Sequence, residues 1–183
     1  MKKGRLIGLY LALVWIGVKF LAWYMEFFVF DSIHPYVLFN MALLTCAIAI
    51  GLFYIKQETL EASNLLLDIK NAMSVGMIYA VIVAGFIYVF YAFIHPNYAK
   101  HQLEESRTYL QSPKHMANIR LKNEDFRNKS DAEIREMEMS KAETIYSTKF
   151  TLVLSLLAMT LWAMLNSVVI SIIYRTVLFK PRQ

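Results

Sequence analysis

The chain has few charged residues and almost no cysteine, and each shortage excludes a class of protein. Its 183 residues include one cysteine, Cys46, so an intrachain disulfide cannot form. Charged residues make up 18% of the chain, whereas they make up about 25% of soluble domains. Hydrophobic residues make up 57% of the chain, against about 45–50% in soluble domains. This excess of apolar side chains predicts a protein that is embedded mainly in a lipid bilayer.

The motifs of metal, redox and dinucleotide chemistry are missing as well. No CxxC, HExxH or GxGxxG spacing occurs in the sequence. We therefore expect no cofactor, no metal site and no catalytic residue. A net charge of +5 can accompany nucleic acid binding. The basic residues here lie at segment ends or among acids in one loop, so we expect no nucleic acid partner.

Four apolar segments are long enough to cross a bilayer, which takes about 20 residues in a helix. Their approximate bounds are 6–30, 36–54, 72–94 and 150–174. The first is too long for a signal peptide, contains Lys19 and lacks a small-residue cleavage site, so we expect it to be retained. The sequence predicts a single domain over residues 1–183, an all-α membrane protein of four transmembrane helices with a long helical extracytoplasmic loop between the third and fourth.

Basic residues in short segments predict the orientation of the spans. They precede the first span, separate the second from the third, and follow the fourth: Lys2, Lys3, Arg5, Lys56, Lys70, Arg175, Lys180 and Arg182. The turn between the first two spans has none. Both termini are therefore expected in the cytoplasm. The loop 96–149 carries ten Lys and Arg beside nine Asp and Glu, but long loops weigh less than short ones in this rule.

The segment 97–149 has the composition of a helical arm rather than of a flexible linker. It contains no glycine and one proline, Pro113. Asn97 is expected to cap a helix that Ser112 and Pro113 end. The sequence leaves two roles open for the arm, a solvated connection between spans or a docking arm for a partner.

A further helix of the arm is predicted to begin after Ser130. Ser130 followed by Glu133 has the capping-box spacing, which satisfies two free backbone donors at a helix start. No helix breaker separates this segment from the fourth span. One continuous helix is therefore expected from Asp131 to about Tyr174, with a length of about 65 Å at 1.5 Å per residue.

Three spans carry small residues at four-residue spacing, which lets helix backbones approach closely in lipid. The positions are Gly4, Gly8 and Ala12 in the first span, Ala72, Gly76, Ala80 and Ala84 in the third, and Thr151, Ser155, Ala163, Ser167 and Ser171 in the fourth, where Met159 is the exception to the spacing. These seams predict one packed bundle. Asn166 in the fourth span is expected to hydrogen-bond to another helix, with a substrate contact as the alternative.

Lys19 and Glu26 are charged residues in the first span. Trp23 and Tyr24 suit the outer membrane boundary. Lys19 lies one helical turn before them, so its ammonium can reach the interface. On a helical wheel, however, Lys19 and Glu26 share the face of the small residues. That shared face favours an inward orientation of Lys19, toward another helix or another protein.

Two Ile-His-Pro tripeptides follow the first and third spans, at 33–35 and 94–96. The four histidines are expected on the outer side of the membrane: His34, His95, His101 and His115. Helix termination by proline accounts for the tripeptides. Metal binding and a response to pH are the alternatives.

The stretches MSVGMIYAVIVAGFIYVFYAFIHPNY, KSDAEIREMEMSKA and LNSVVISIIYR resemble a bacterial family of small four-span membrane proteins of unknown function. In that family the third span ends in proline, an acidic helical loop begins with Ser-acidic-x-Glu, and a basic tail follows the last span. The matching positions are Pro96, Ser130, Glu133 and Lys180. The chain departs from the family at His95, where Asp or Asn is frequent. The resemblance covers nearly the whole chain and implies a topology but no activity.

These patterns predict an accessory or scaffold subunit of the bacterial inner membrane, without catalytic activity. Its expected partners are the lipid bilayer and either a larger membrane protein or further copies of itself. The predicted spans contain neither His nor Asp from which to build a catalytic site. The alternative is a small oligomeric transporter or channel that uses Lys19 and Glu26 as intramembrane polar groups.

Overall fold

The structure, a computed structural model, describes residues 2–25, 34–58, 64–126 and 128–178, except for the side chains of Lys2 and His34. It is 93% helical, and the described residues contain no strand. Seven α-helices lie in these ranges: α1 Lys2–Tyr24, α2 His34–Glu58, α3 Leu65–Val89, α4 Asn97–Gln111, α5 Pro113–Lys122, α6 Asp131–Ile145 and α7 Thr148–Ile173. The predicted all-α class is confirmed.

Four helical segments are long and apolar enough to cross a membrane. Their bounds are Lys3–Tyr24, Pro35–Glu58, Leu65–Ile94 and Thr148–Leu178. The third and fourth are extended by π-helical turns, Phe90–Ile94 after α3 and Tyr174–Leu178 after α7. The predicted end of the first span at residue 30 lies outside the described residues. The prediction of four helices that are long and apolar enough to cross a membrane is confirmed.

The chain divides into two compact units. Unit 1 comprises Met1–Phe86 and Leu154–Gln183, and unit 2 comprises Ile87–Val153. Unit 1 therefore contains α1, α2, most of α3 and most of α7. Unit 2 contains the end of α3, the helices α4 to α6 and the start of α7.

In unit 1, α1 and α2 are antiparallel and meet at glycines. Gly4, near the start of α1, lies against Gly51 and Ile55, near the end of α2. Lys19, near the end of α1, lies over the ring of Tyr36 at the start of α2. Glycine allows this approach because it presents no Cβ to the neighbouring backbone.

The helices α1 and α3 run in the same direction. Gly8 lies against the backbone of Val75 in the first half of α3. Further along both helices, the ring of Trp15 packs edge-on against Phe86, with the centroids 6.1 Å apart. The two helices are thus held together by a close backbone approach at Gly8 and by an aromatic contact at Trp15.

The helix α7 runs antiparallel to α3 and parallel to α2. A Cβ added to Gly76 of α3 would lie 2.8 Å from the Cβ of Ala163, so the two helices approach closely there. The Asn40 amide donates to the Met159 sulfur at 3.4 Å. At the other end of α2 the Tyr174 hydroxyl donates to the carbonyl of Ala49 at 2.8 Å.

Unit 2 has a small core of its own. Met116, Phe126 and Ile134 are buried together, with Ile119 packed against them. The side-chain nitrogen of Lys141 lies 5.1 Å from the centroid of the Phe126 ring, which leaves the charge in water while the ring is covered.

Polar contacts close the turn between α5 and α6. The Arg120 guanidinium donates to the carbonyl of Lys129 at 2.8 Å and to the Asp131 carboxylate at 2.6 Å. From α6, the Arg135 guanidinium donates to the carbonyl of Leu110 at 3.2 Å. These contacts tie α4, α5 and α6 into one unit.

The helix α6 begins with a capping box at Ser130 and Glu133. The Ser130 backbone N–H and hydroxyl each donate to the Glu133 carboxylate at 2.8 Å. The Glu133 backbone N–H in turn donates to the Ser130 hydroxyl oxygen at 3.3 Å. Two free backbone donors of the helix start are thereby satisfied.

The expectation of one helix from Asp131 to Tyr174 is wrong, because α6 ends at Ile145 and α7 begins at Thr148. The Ser147 hydroxyl oxygen accepts from the backbone N–H of Phe150 at 3.2 Å. A serine that caps a new helix in this way competes with continuation of the preceding helix.

The expected cap at Asn97 is also wrong, although the helix it was to begin runs to Gln111 as predicted. Asn97 is the first residue inside α4, the N-cap position is Pro96, and no side chain caps the helix. Proline suits this boundary because it lacks the backbone donor that a helix start leaves free. At the other end, Ser112 closes α4 and Pro113 opens α5.

Gly8→Ala is expected to destabilise the protein by roughly 1–3 kcal/mol, because the new methyl group would lie 2.5 Å from the backbone oxygen of Val75. Gly17→Ala, on the same helix, is the matched control, since a Cβ there has nothing within 4 Å. Alanine's helix propensity is expected to raise its stability by up to about 1 kcal/mol. Thermal unfolding in detergent measures both, and equal midpoints would contradict close packing at Gly8.

A pH-dependent contribution to stability is expected from Glu133. The hydrogen bonds from the Ser130 backbone and side chain, aided by the charge of Lys129, hold the pKa of its carboxyl below the usual 4.5. Because the folded-state pKa is the lower one, the contribution is present above pH 4.5 and is lost as the pH falls through the folded-state pKa.

Glu133→Gln tests this, because glutamine keeps the capping hydrogen bond and removes the titration. Helix content followed from about pH 6 to about pH 3 should change less in this variant than in the natural protein. Glu143→Gln, at an exposed position of the same helix, should leave the natural pH dependence. An unchanged profile for Glu133→Gln would contradict the assignment.

Candidate functional site

A buried ionic cluster joins the ends of three helices in unit 1. The carboxylate of Asp68, 1% exposed, accepts from the Lys56 ammonium at 2.6 Å and from the Arg175 guanidinium at 3.3 Å, both through Oδ2. Lys56 is at the end of α2, Asp68 at the start of α3 and Arg175 in the π-helical turn that follows α7. We call these three residues the ionic cluster.

Local chain chemistry places each member of the ionic cluster at a helix end. The Asn64 side chain caps α3 by accepting from the backbone N–H of Leu67 at 2.8 Å. Asp68 then lies in the first turn of α3 and Lys56 in the last turn of α2. An acid at a helix start and a base at a helix end are both favoured by the helix dipole.

Asn40 is the centre of a second polar contact, deeper in the bundle. The Tyr79 hydroxyl donates to the Asn40 side-chain oxygen at 2.7 Å, and both residues are buried. The Asn40 amide also donates to Met159 of α7. One asparagine thus connects α2, α3 and α7 within the apolar interior.

A third polar contact involves Asn166, which the sequence singled out. The Thr45 hydroxyl oxygen accepts from the Trp162 ring nitrogen at 3.0 Å, and it lies 3.4 Å from the Asn166 side-chain oxygen. The Asn166 amide donates to the carbonyl of Trp162 at 2.9 Å. The Asn166 side-chain oxygen therefore lies near α2, but the single proton of the Thr45 hydroxyl has a closer acceptor in the carbonyl of Met41, at 2.9 Å.

The small residues singled out in the spans lie on the inner faces of their helices. All but two are buried: Gly4, Gly8, Ala12, Ala72, Gly76, Ala80, Ala84, Ala163, Ser167 and Ser171. Thr151 and Ser155 are half-buried. The seams of three different spans are thus brought together inside unit 1.

Of the two charged residues singled out in the first span, Lys19 and Glu26, the structure describes only Lys19. The Lys19 ammonium lies 4.0 Å from the centroid of the Tyr36 ring, so it is directed at α2. An ammonium over a tyrosine face is stabilised by the ring quadrupole. Glu26 lies outside the described residues.

The histidines are distributed along unit 2 and the start of α2. His95 lies between the π-helical turn and α4, and His101 lies in α4. The ring of His115, in α5, stacks on Tyr109 with centroids 3.8 Å apart. Within the ranges that the structure describes, no three His, Cys, Asp or Glu side chains are grouped so that they could hold a metal ion. The side chain of His34 is outside the described part.

Unit 2 also contains an aromatic pair beside the end of α3. The rings of Tyr91 and Tyr98 have centroids 4.9 Å apart. Burial raises the pKa of the Tyr98 hydroxyl, and the nearby Tyr146 and Glu105 add to the shift. Tyr98 therefore stays neutral at physiological pH.

Asp68 is the residue that the sequence reasoning missed. The third span was predicted to begin at residue 72, but α3 begins at Leu65 and the candidate span is Leu65–Ile94. The statement that the spans contain no Asp is therefore corrected. The apolar run Leu65, Leu66 and Leu67 before Asp68 is the signal in the sequence that extends the span, whereas Lys56 and Arg175 indicate only orientation there.

The four long apolar helices and the polar contacts between them define a multi-pass α-helical membrane protein. The chain belongs to the family described as Protein of unknown function (DUF4199), which matches residues 5–176. The resemblance to a family of unknown function is thereby confirmed. Neither the curated proteins nor the solved structures contain a match to this chain.

Asp68→Asn is expected to destabilise the protein by about 3–5 kcal/mol, because two cations would then face a neutral amide at a buried position. Lys70→Gln, an exposed position in the same helix turn, is the control and should change stability by less than about 0.5 kcal/mol. Unfolding of both variants in detergent provides the measurement. Similar small effects for the two would show that the ionic cluster does not stabilise the bundle.

Proposed function

We propose that the chain is an accessory or scaffold subunit that packs with a larger membrane protein complex and has no catalytic activity of its own. The observation that carries the proposal is the construction of unit 2. Its helices form a small core in which Met116, Phe126 and Ile134 are buried together. A folded segment of this kind suits a docking arm better than a plain connection between two spans.

The exposed surface of α6 supports this role. Glu136 and Glu143 are exposed on this helix, while Glu138 pairs with Lys141 at 2.6 Å. Exposed carboxylates on a rigid helix can select a partner with complementary charge and steer its approach.

The interior of the bundle supports a scaffold over a transport pathway. Asp68 and Asn40 each bond to side chains of another helix. Polar groups used in this way hold helices together, whereas a pathway needs them directed at a substrate. The contact between Lys19 and Tyr36 likewise joins two helices.

We further infer that the protein resides in a bacterial inner membrane with both termini in the cytoplasm and the arm 97–149 outside. The basic residues of the short segments support this orientation. Lys3 and Arg5 at the start of α1 and Lys70 of α3 are exposed, whereas Lys56 and Arg175 are bound to Asp68. Acidic partners change the orientation rule little.

Copurification tests the scaffold role. The tagged full-length chain, extracted from its own membranes in mild detergent, is expected to copurify with another membrane protein in fixed stoichiometry. Glu136→Lys together with Glu143→Lys should reduce that recovery several-fold, because the proposed docking surface would change sign.

A matched charge reversal elsewhere in unit 2 controls for the number of altered charges. Lys114→Glu together with Lys122→Glu changes two exposed positions of α5 and should leave recovery unchanged. Isolation of the natural chain as a bare monomer would contradict the scaffold role. Equal losses for the two double variants would contradict the assignment of the docking surface to α6.

A further inference from the structure

Asn166 is a polar side chain deep in an apolar span. The fourth candidate span is Thr148–Leu178, so Asn166 lies roughly 18 Å along the helix from the nearer end at 1.5 Å per residue. Its neighbours Trp162, Leu165 and Val169 are exposed on the outside of α7, and Asn166 itself is half-buried. Water is absent at this depth of a bilayer, so a carboxamide here is costly unless protein groups satisfy it.

The carboxamide of Asn166 is satisfied only in part within the chain. One N–H donates to the carbonyl of Trp162 at 2.9 Å. The side-chain oxygen lies 3.4 Å from the Thr45 hydroxyl, but the proton of that hydroxyl has its closer acceptor in the carbonyl of Met41. Among the residues that the structure describes, Asn166 has no other hydrogen bond. One donor and one acceptor of the carboxamide therefore remain available.

The surface of α2 beside Asn166 is made of small side chains. Thr45 is the residue of α2 that lies against Asn166. Ala42 and Cys46 are exposed and Ala49 is half-buried, and all three lie within about one helical turn of Thr45. Small side chains let another helix approach closely in lipid. We call Ala42, Cys46 and Ala49 together with Asn166 the amide face.

The chemistry of the carboxamide selects a second copy of the chain as the occupant of the amide face. A free donor and a free acceptor on one group are self-complementary, so two such groups can pair through two N–H···O bonds across a twofold axis. Copies that are inserted in the membrane with the same orientation also place Asn166 at the same depth. The two carboxamides can then meet without a shift along the membrane normal.

We propose that two copies of the chain associate through the amide face, with the carboxamides of their Asn166 residues paired to each other. The twofold axis lies along the membrane normal, and the small residues of α2 permit the close approach. This contact involves unit 1 alone. It is independent of the partner that we propose for the exposed surface of α6.

Energy transfer between labelled chains tests the dimer in the full-length protein. Donor-labelled and acceptor-labelled chains are reconstituted together in vesicles of phosphatidylethanolamine and phosphatidylglycerol, and added lipid dilutes them. The natural chain is expected to show energy transfer that falls with dilution as the dimer dissociates. Asn166→Leu should weaken association by roughly 3- to 30-fold, the range for an interhelical hydrogen bond in lipid. Asn166→Gln keeps the carboxamide and should retain most of the association.

Matched variants control for loss of a polar group and for added bulk. Thr176→Val removes another exposed polar group of α7, whose hydroxyl already donates to the carbonyl of Ile172 at 2.9 Å, and should leave association unchanged. Ala42→Phe adds a ring to the amide face and should weaken association. Gly17→Phe adds the same ring to α1 at an exposed position where a Cβ has nothing within 4 Å, and should not.

The single cysteine of the chain provides a second readout in native membranes. Cys46 is exposed on the amide face, so a short bismaleimide is expected to link two copies covalently. Asn166→Leu should reduce the amount of this product. A product that instead joins Cys46 to a different membrane protein would overturn the assignment of a second copy.

A natural chain that stays monomeric in lipid would overturn the proposal, and so would equal association of Asn166→Leu and the natural chain. If Asn166→Leu does not fold, Ala42→Phe and the crosslink at Cys46 decide the matter, because both leave Asn166 in place. Unchanged association of Ala42→Phe would then show that the copies meet at another surface.

Discussion

The arrangement of the bundle depends on the buried charge of Asp68. A carboxylate in this low-dielectric position is tolerable only when cations lie beside it. Lys56 and Arg175 meet that requirement from two other helices. One end of each of α2, α3 and α7 is therefore required to meet the others, and the relative directions of these three helices follow from that meeting.

Away from the ionic cluster, the helices are held together by close packing rather than by ion pairs. Lipid provides little hydrophobic drive for helices to associate, so the helices are held by contact and by hydrogen bonds. Gly8 against Val75 and Gly76 against Ala163 bring the backbones together. The hydrogen bond between Tyr79 and Asn40 adds a polar contact between α3 and α2 in the buried interior. Both kinds of contact require particular residues rather than apolar character alone.

Unit 2 follows the rules of a water-soluble fold. Its apolar core is small, and it is supplemented by a capping box at Ser130 and by the bonds of Arg120 to the segment that precedes α6. The break after Ile145 shows how local chemistry overrides composition. The sequence between α6 and α7 has neither glycine nor proline. The Ser147 hydroxyl nevertheless caps the start of α7 by accepting from the backbone N–H of Phe150, and this competes with continuation of α6.

The sequence by itself determined the all-α class, the four apolar helices, the capping box and the small residues on the inner faces, because each depends on spacing within one segment. Only the tertiary structure decided that Asp68 is buried against Arg175, 107 residues away along the chain. Hydropathy treats an acid near a span end as a boundary, since it cannot anticipate a cation supplied by another helix. Lys19 shows the same limit, because its place over Tyr36 depends on how α1 and α2 pack.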